Sequence, residues 1–423
     1  MFHYFAMRTA ILPLTLFVST VCAAPQQLDG RQSTDTAATN YHSRPPGTSG
    51  GALYFMTNEA ENTVVALPIG SNGLLSRGTV TKTGGAGSNF INSATGLKAG
   101  PDALSAQASL VLSGDYIFAV NAGSNTVTMM ATSKRDPTDL VTVGEVTLPG
   151  EFPTTIAASM KNKLVCVGMT GAQAGISCAN FNRNGMGKMD ALRPFRLNQT
   201  TPPHGPFNSI AETYFSLDES TLFTTVKGDP SANNVGFLSA FTVEPQKDGN
   251  ARLASEDTRS SPAGTAVLFG SALIPNRTRS LFVTDASFGA VILTLDAKNF
   301  ATTVSKQSIP GQLATCWATI STKTNSAFVA DAAFARIVEM STSDASIISE
   351  LDLSANGDPG FTELQASGSF VYVLSPGNST NASIKVLDVS GGQRSMKLVQ
   401  SFDLDGIAGK NSEGMAISSG CSR

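Results

Sequence analysis

One histidine stands in the body of the chain: His204, in PPHGPF (202–207). The other two, His3 and His42, fall in an apolar leader and a polar N-terminal stretch, so any histidine-dependent proton transfer rests on His204. Glu212 follows eight residues later, and the two side chains together would supply an acid and a base. The plainer reading of His204 is a loop histidine bonded to backbone or water. With one usable histidine a multi-histidine metal site is nearly excluded, neither an HExxH nor a CxxC spacing occurs, and a serine triad would need the same His204. GGAG at 84–87 lacks the GK[ST] ending of a phosphate loop and reads as a lid or loop. No metal and no cofactor is expected.

A second group gathers around carboxylates. Asp102, Glu151, Glu363 and Glu413 each stand at or just before a short apolar run, and Gln107, Asn208 and Trp317 occupy similar entrances. Carboxylates brought together would raise one another's pKa and create a general acid or hold a cation; apart, they are solvated loop charges. Trp317, the single tryptophan, reads either as a stacking wall for a ligand or as packing between structural units. Asn58, Asn121, Asp285 and Asp331 recur at one place in a repeat and read as turn formers bonding their own backbone.

That repeat sets the architecture. A β-branched strand, a turn and a second alternating strand recur seven times, at 53–67, 116–130, 163–181, 221–241, 280–295, 326–340 and 370–389. The pattern predicts an all-β, seven-bladed β-propeller. An inner-strand candidate precedes each later hairpin, at 108–112, 154–159, 208–216, 266–274, 316–321 and 361–367, but none precedes Leu53. EGMAIS (413–418) has the same character and no hairpin after it, so it is expected to complete the first blade and close the ring. The long insertions 81–107 and 183–207 join outer strands to the next inner strands, which places them over one mouth of the central channel, the expected place of function.

Residues 1–23 read as a secretory signal, with Arg8 ahead of AILPLTLFV and VCA at the cleavage site; 24–50 read as a disordered linker, and 51–423 as the propeller. The leader's apolar run is too short to cross a bilayer, and no other stretch approaches the ~20 apolar residues a span needs. Losing Arg8 moves the formal net charge from −3 to −4, which gives no footprint for nucleic acid or an anionic membrane. Sequons at Asn198, Asn276, Asn378 and Asn381 and the leader together predict a secreted glycoprotein, extracellular or bound to a cell wall. Cys166 and Cys178 are equidistant from Ala172 at their hairpin turn and are expected to form a disulfide; Cys316 and Cys421 are a further candidate pair.

VNAGSNTV (120–127) resembles the YVTN-type propeller repeat, and VTDASFGAVILTLD (283–296) and VADAAFARIVEM (329–340) resemble degenerate copies. Through GGAGSN (84–89), GPDALSAQ (100–107), VNAGSNTV and LFTTVKGDP (222–230), the chain is similar to secreted fungal propellers of the carboxymuconate cyclase and 6-phosphogluconolactonase superfamily. The resemblance implies a metal-independent scaffold whose active members open or close lactones with His, Arg and Glu side chains at the channel mouth. It assigns His204 and Glu212 as the acid and base here. No basic residue begins an inner strand, however, and Arg193 and Arg196 lie in the loop before one. The first reading is therefore a monomeric fungal surface or effector-type glycoprotein, acting in virulence through extracellular binding of a protein or polysaccharide of the host or cell wall. The alternative is an extracellular lactonase or cyclase acting on a small lactone.

Overall fold

The computed structural model describes residues 51–247 and 249–418. The leader, the linker and Cys421 lie outside the described residues. Seven antiparallel sheets follow one another along the chain, with almost no helix among them, and they form the seven blades of a propeller. In blades three and four the outermost position is shared by two short strands, Gly185–Met186 and Arg193–Pro194 in one, Ala251–Leu253 and Thr258–Ser260 in the other.

The reason these segments form blades is visible in their burial. Outer strands such as Ala301–Ser308 alternate with the period of two that a half-buried strand requires, whereas second strands such as Ser326–Asp331 are buried along their whole length. One register position in the second strand carries Phe55, Phe118, Phe223, Phe282, Phe328 and Tyr372 in six blades, all essentially inaccessible to solvent. Each such ring contributes ~1.5–3 kcal/mol through burial. Blade three has Cys166 at that position, directly opposite Cys178 on the neighbouring strand, and the two are joined by a disulfide with a Cα separation of 4.1 Å. A covalent bridge thus replaces the missing aromatic.

Ring closure follows the sequence expectation. Glu413–Ser418 pairs antiparallel with Ala52–Met56, so the end of the chain supplies the inner strand of blade one. The other inner strands are Leu110–Ser113, Pro153–Ser159, Ile210–Phe215, Leu268–Leu273, Thr315–Ser321 and Leu364–Ser367. Of the four repeated turn residues, the two aspartates bond their own turns, whereas the Asn58 side chain bonds the Ser88 backbone and that of Asn121 bonds the side chains of Asn62, Thr83, Thr126 and Thr128. Asp285 accepts from the amides of Ser287, Ala266 and Val267, and Asp331 from those of Ala333, Leu313 and Ala314. Each carboxylate therefore ties its own turn to the start of the inner strand beside it.

The two long insertions meet. Ile91–Asn92 pairs in parallel with His204–Gly205, with the Ile91 amide 2.8 Å from the Pro203 carbonyl and the Ser93 amide 3.1 Å from that of Gly205. The remainder of the first insertion turns inward and enters the channel.

Candidate functional site: the channel axis

Residues Asp102 to Ala108 run down the axis at the insertion end and are held there from every side. No periodic apolar pattern prepares this segment, and Asp102, Ser105 and Ala108 adopt the left-handed backbone region at φ of 66°, 48° and 63°. Such a path cannot pair as a regular strand, so its backbone groups are satisfied one by one, by side chains and by neighbouring backbone. The Leu104 amide donates to Glu413 Oε1 at 3.1 Å, and the Ala108 amide to Glu363 Oε1 at 2.9 Å. The Ser105 carbonyl accepts from the Lys227 ammonium, and the Ala106 carbonyl from Trp317 Nε1 at 3.3 Å. The Ala108 carbonyl accepts from the Ile156 amide at 2.9 Å.

Gln107 carries the deepest contacts. Its Nε2 donates to Glu212 Oε1 at 3.0 Å and to the carbonyls of Ser271 and Ala318, each at 3.2 Å, while Oε1 accepts from the Ala318 amide at 2.9 Å. The Ser271 amide donates to the other Glu212 oxygen at 2.5 Å. Both Glu212 oxygens are thus engaged by the protein itself.

The side chains of the axis are buried, and its electrostatics follow from that. Burial pushes the Glu212 carboxyl up to about 8, against a pull downward from the Ser271 amide. Burial likewise raises Glu363 and Glu413 well above the usual carboxylate range, and neighbouring acids add to it. Asp102 is raised to about 6 by burial, with the Lys227 charge opposing the rise. Lys227 is lowered to about 8 by burial, with Asp102 opposing the fall, and its ammonium lies 4.7 Å from the centre of the Phe269 ring. Burial thus favours the protonated form of the three glutamates, while Asp102 and Lys227 offset one another's charge. The axis is then close to electroneutral, which is the state burial favours.

Asp102, Gln107, Glu212, Trp317, Glu363 and Glu413 therefore converge on one place and engage the protein's own backbone. Trp317 is fully buried, its ring edge-on to Phe269 at 5.0 Å. Cys316, beside it, is buried and forms no disulfide with any described residue. Its proposed partner, Cys421, lies outside them. Among the described residues no group of three or more His, Cys, Asp or Glu side chains is arranged to hold a metal ion.

Other sequence candidates lie away from the axis. His204 is exposed on the paired insertions, its backbone held by Gln199 on both sides. Asn208 is half-buried and accepts from Asn234 at 2.6 Å, and Glu151 accepts from the Thr201 hydroxyl. Arg193 is paired with Asp190 at 2.9 Å and donates to the Leu253 and Ala254 carbonyls, so it ties blade three to blade four. The four sequon asparagines are all exposed.

Sequence reasoning passed over Lys227. A signal was present: among the seven second strands, only that of blade four is followed at once by a cation, in LFTTVKGDP. It also placed attention on the insertion end, whereas the open space lies at the other. A cavity of about 480 Å³ occupies the far half of the channel. Gln107 and Glu212 form its inner end, and Ser216, Leu217 and Glu219, at the turn after the inner strand of blade four, form part of its rim.

No family model matches the chain, and no curated protein matches it in sequence. Solved structures match it in fold. A periplasmic gluconolactonase of Pseudomonas aeruginosa superposes with a TM-score of 0.62 at 12% identity, covering 88% of this chain and 99% of that one. A putative 6-phosphogluconolactonase of Bacteroides fragilis gives 0.59 at 11% identity, over 89% and 100% of the two chains. Another from Bacteroides uniformis gives 0.52 at 15% identity, over 67% and 80%. The chain thus shares the seven-bladed scaffold of proteins described as lactonases.

Proposed function

We propose that this chain is a secreted glycoprotein that uses a lactonase-like propeller for extracellular binding of a protein or polysaccharide of a host or cell wall. One observation carries the reading: the insertion end of the channel is filled by residues 102–108, and the acids gathered there bond that segment. His204 stands apart from them on the exposed insertions. The four exposed sequons and the leader fit an exported glycoprotein. The paired insertions, the most irregular part of the repeat, form the binding surface.

A lactonase remains the second reading, and Glu212 favours it. Its carboxyl faces the open half of the channel and is pushed up to about 8 by burial, so it is a proton donor at neutral pH. The scaffold shared with proteins described as gluconolactonases adds to this reading. One set of measurements separates the two. Purified protein, His204→Ala and Glu212→Gln are assayed on aldonolactones and carboxymuconolactones, and tested for retention on insoluble cell-wall polysaccharide. Turnover abolished by Glu212→Gln or His204→Ala overturns the binding reading. No turnover, together with retention that is lost on substituting exposed insertion residues such as Leu97 and Phe207, supports it.

A further inference from the structure

We propose that the far half of the channel is a binding site for an uncharged ring compound bearing hydroxyl or carbonyl groups. This site lies at the end away from the insertions and does not depend on the surface binding proposed above. Its volume, about 480 Å³, falls within the ~300–1,000 Å³ of small-molecule sites.

Three properties of the lining define the ligand. The walls include Leu112, Ala158, Leu273 and Ile417, contributed by the inner strands of blades two, three, five and one, which offer aliphatic contact to a ring face. These strands are terminal in their sheets, so their channel-facing edges have no neighbouring strand and present backbone donors and acceptors to a ligand's hydroxyl or carbonyl groups. Finally, no Lys, Arg or His lines the cavity, whereas Glu212 and Glu219 do. A carboxylate or phosphate entering it would lose its water and find no counter-charge, so anionic ligands are rejected. A cation gains little at the inner end in exchange for its hydration, because the buried Glu212 holds its proton at neutral pH, and at the rim Glu219 already accepts from the Ser159 hydroxyl.

The inner end is rigid, as a binding site needs. Gln107 makes four hydrogen bonds spanning blades four, five and six, and fixes Glu212 in place. A ligand therefore meets a preformed end wall, and the cost of ordering it has been met in folding.

Three probes with one ring system test the assignment at pH 7: 2-naphthalenemethanol, 2-naphthoate and 2-naphthylmethylammonium, titrated into the full-length protein by fluorescence and calorimetry. The alcohol is expected to bind saturably, at least tenfold more tightly than either ion. Ala158→Phe, which fills the cavity from blade three, should weaken it at least tenfold with an unchanged circular dichroism spectrum and melting midpoint. Leu273→Trp, filling it from blade five, serves where the first variant does not fold. Equal binding of the three probes, absence of saturable binding, or full affinity in a folded cavity-filling variant each overturns the proposal.

Discussion

Glu212→Gln should make this protein less stable in acid and more stable in mild base, with the crossover set by one buried carboxyl. Glu212 is 4% exposed, and burial raises its pKa from 4.5 to about 8. Across that interval the folded chain holds a proton that the unfolded chain has released, so unfolding free energy falls by ~1.4 kcal/mol per pH unit. The stability this acid contributes is whole below about pH 4.5 and is lost as pH rises through about 8, a total of ~5 kcal/mol. Glutamine removes that titration at a fixed cost. Two donors reach Glu212, Gln107 Nε2 at 3.0 Å and the Ser271 amide at 2.5 Å, and an amide offers only one acceptor oxygen. Whichever way that amide is turned, its NH2 faces one of these donors, so a buried N–H of the new side chain is left without an acceptor, which costs ~1–3 kcal/mol at every pH. The variant should therefore be less stable by ~1–3 kcal/mol near pH 4.5, equal between about pH 5 and 7, and more stable by ~1–3 kcal/mol at pH 8, where Glu212 is half titrated. Glu363 and Glu413 also titrate upward, but they are present in both proteins and largely cancel in the difference. Urea unfolding of both proteins at pH 5, 6, 7 and 8, with matched m-values, measures it directly. A stability difference that stays flat across that range refutes the reasoning.

Lys227→Met strands the Asp102 charge in the axis and should cost ~3–5 kcal/mol at pH 7; adding Asp102→Asn should restore at least half of that loss, whereas simple additivity of the two costs would show that the charges do not interact. A chain ending at Ser412 lacks the inner strand of blade one and exposes the edge of Ala52–Met56. It should melt well below the full chain and aggregate, and an unchanged melting curve would contradict the closure. Replacing both Cys166 and Cys178 by Ser opens a loop of sequence separation 12, and urea unfolding should report a loss of ~3 kcal/mol. A loss below ~1 kcal/mol would mean that the pairing strands already hold the hairpin without the bridge.

The repeat was legible because its signal is local. An aromatic such as Phe118 or Phe328 sits at a fixed step from Asn121 or Asp331, and alternation around it marks a strand without any tertiary knowledge. Ring closure was legible by counting, since a hairpin lacking its inner strand at Leu53 and a strand lacking its hairpin at Glu413 need each other. The axial segment was not. Residues 102–108 have no periodicity, and their partners at Glu212, Lys227, Trp317, Glu363 and Glu413 are scattered over most of the chain. Convergence of the acids could be inferred from their shared position at inner-strand entrances. What they bind could not, because it depends on a loop whose path is set only once the ring exists.

Those axial contacts bear on how the ring holds together. Strand pairing between Ala52–Met56 and Glu413–Ser418 closes the circumference at one blade only. The axial segment adds spokes: Glu413 from blade one, Ile156 from blade three, Glu212 and Lys227 from four, Ser271 from five, Trp317 and Ala318 from six and Glu363 from seven, while its own chain continues into blade two. Opening any one blade removes a partner from a buried polar group at the centre, and each group so orphaned costs ~1–3 kcal/mol. Blades that would otherwise interact only with their neighbours are thereby coupled to all the others. The chain should unfold in one transition despite its repeat architecture, with the same midpoint by circular dichroism and by Trp317 fluorescence. A Trp317 transition preceding the loss of strand signal would show the axial segment leaving an intact ring, and would assign it as a removable plug in place of a structural hub.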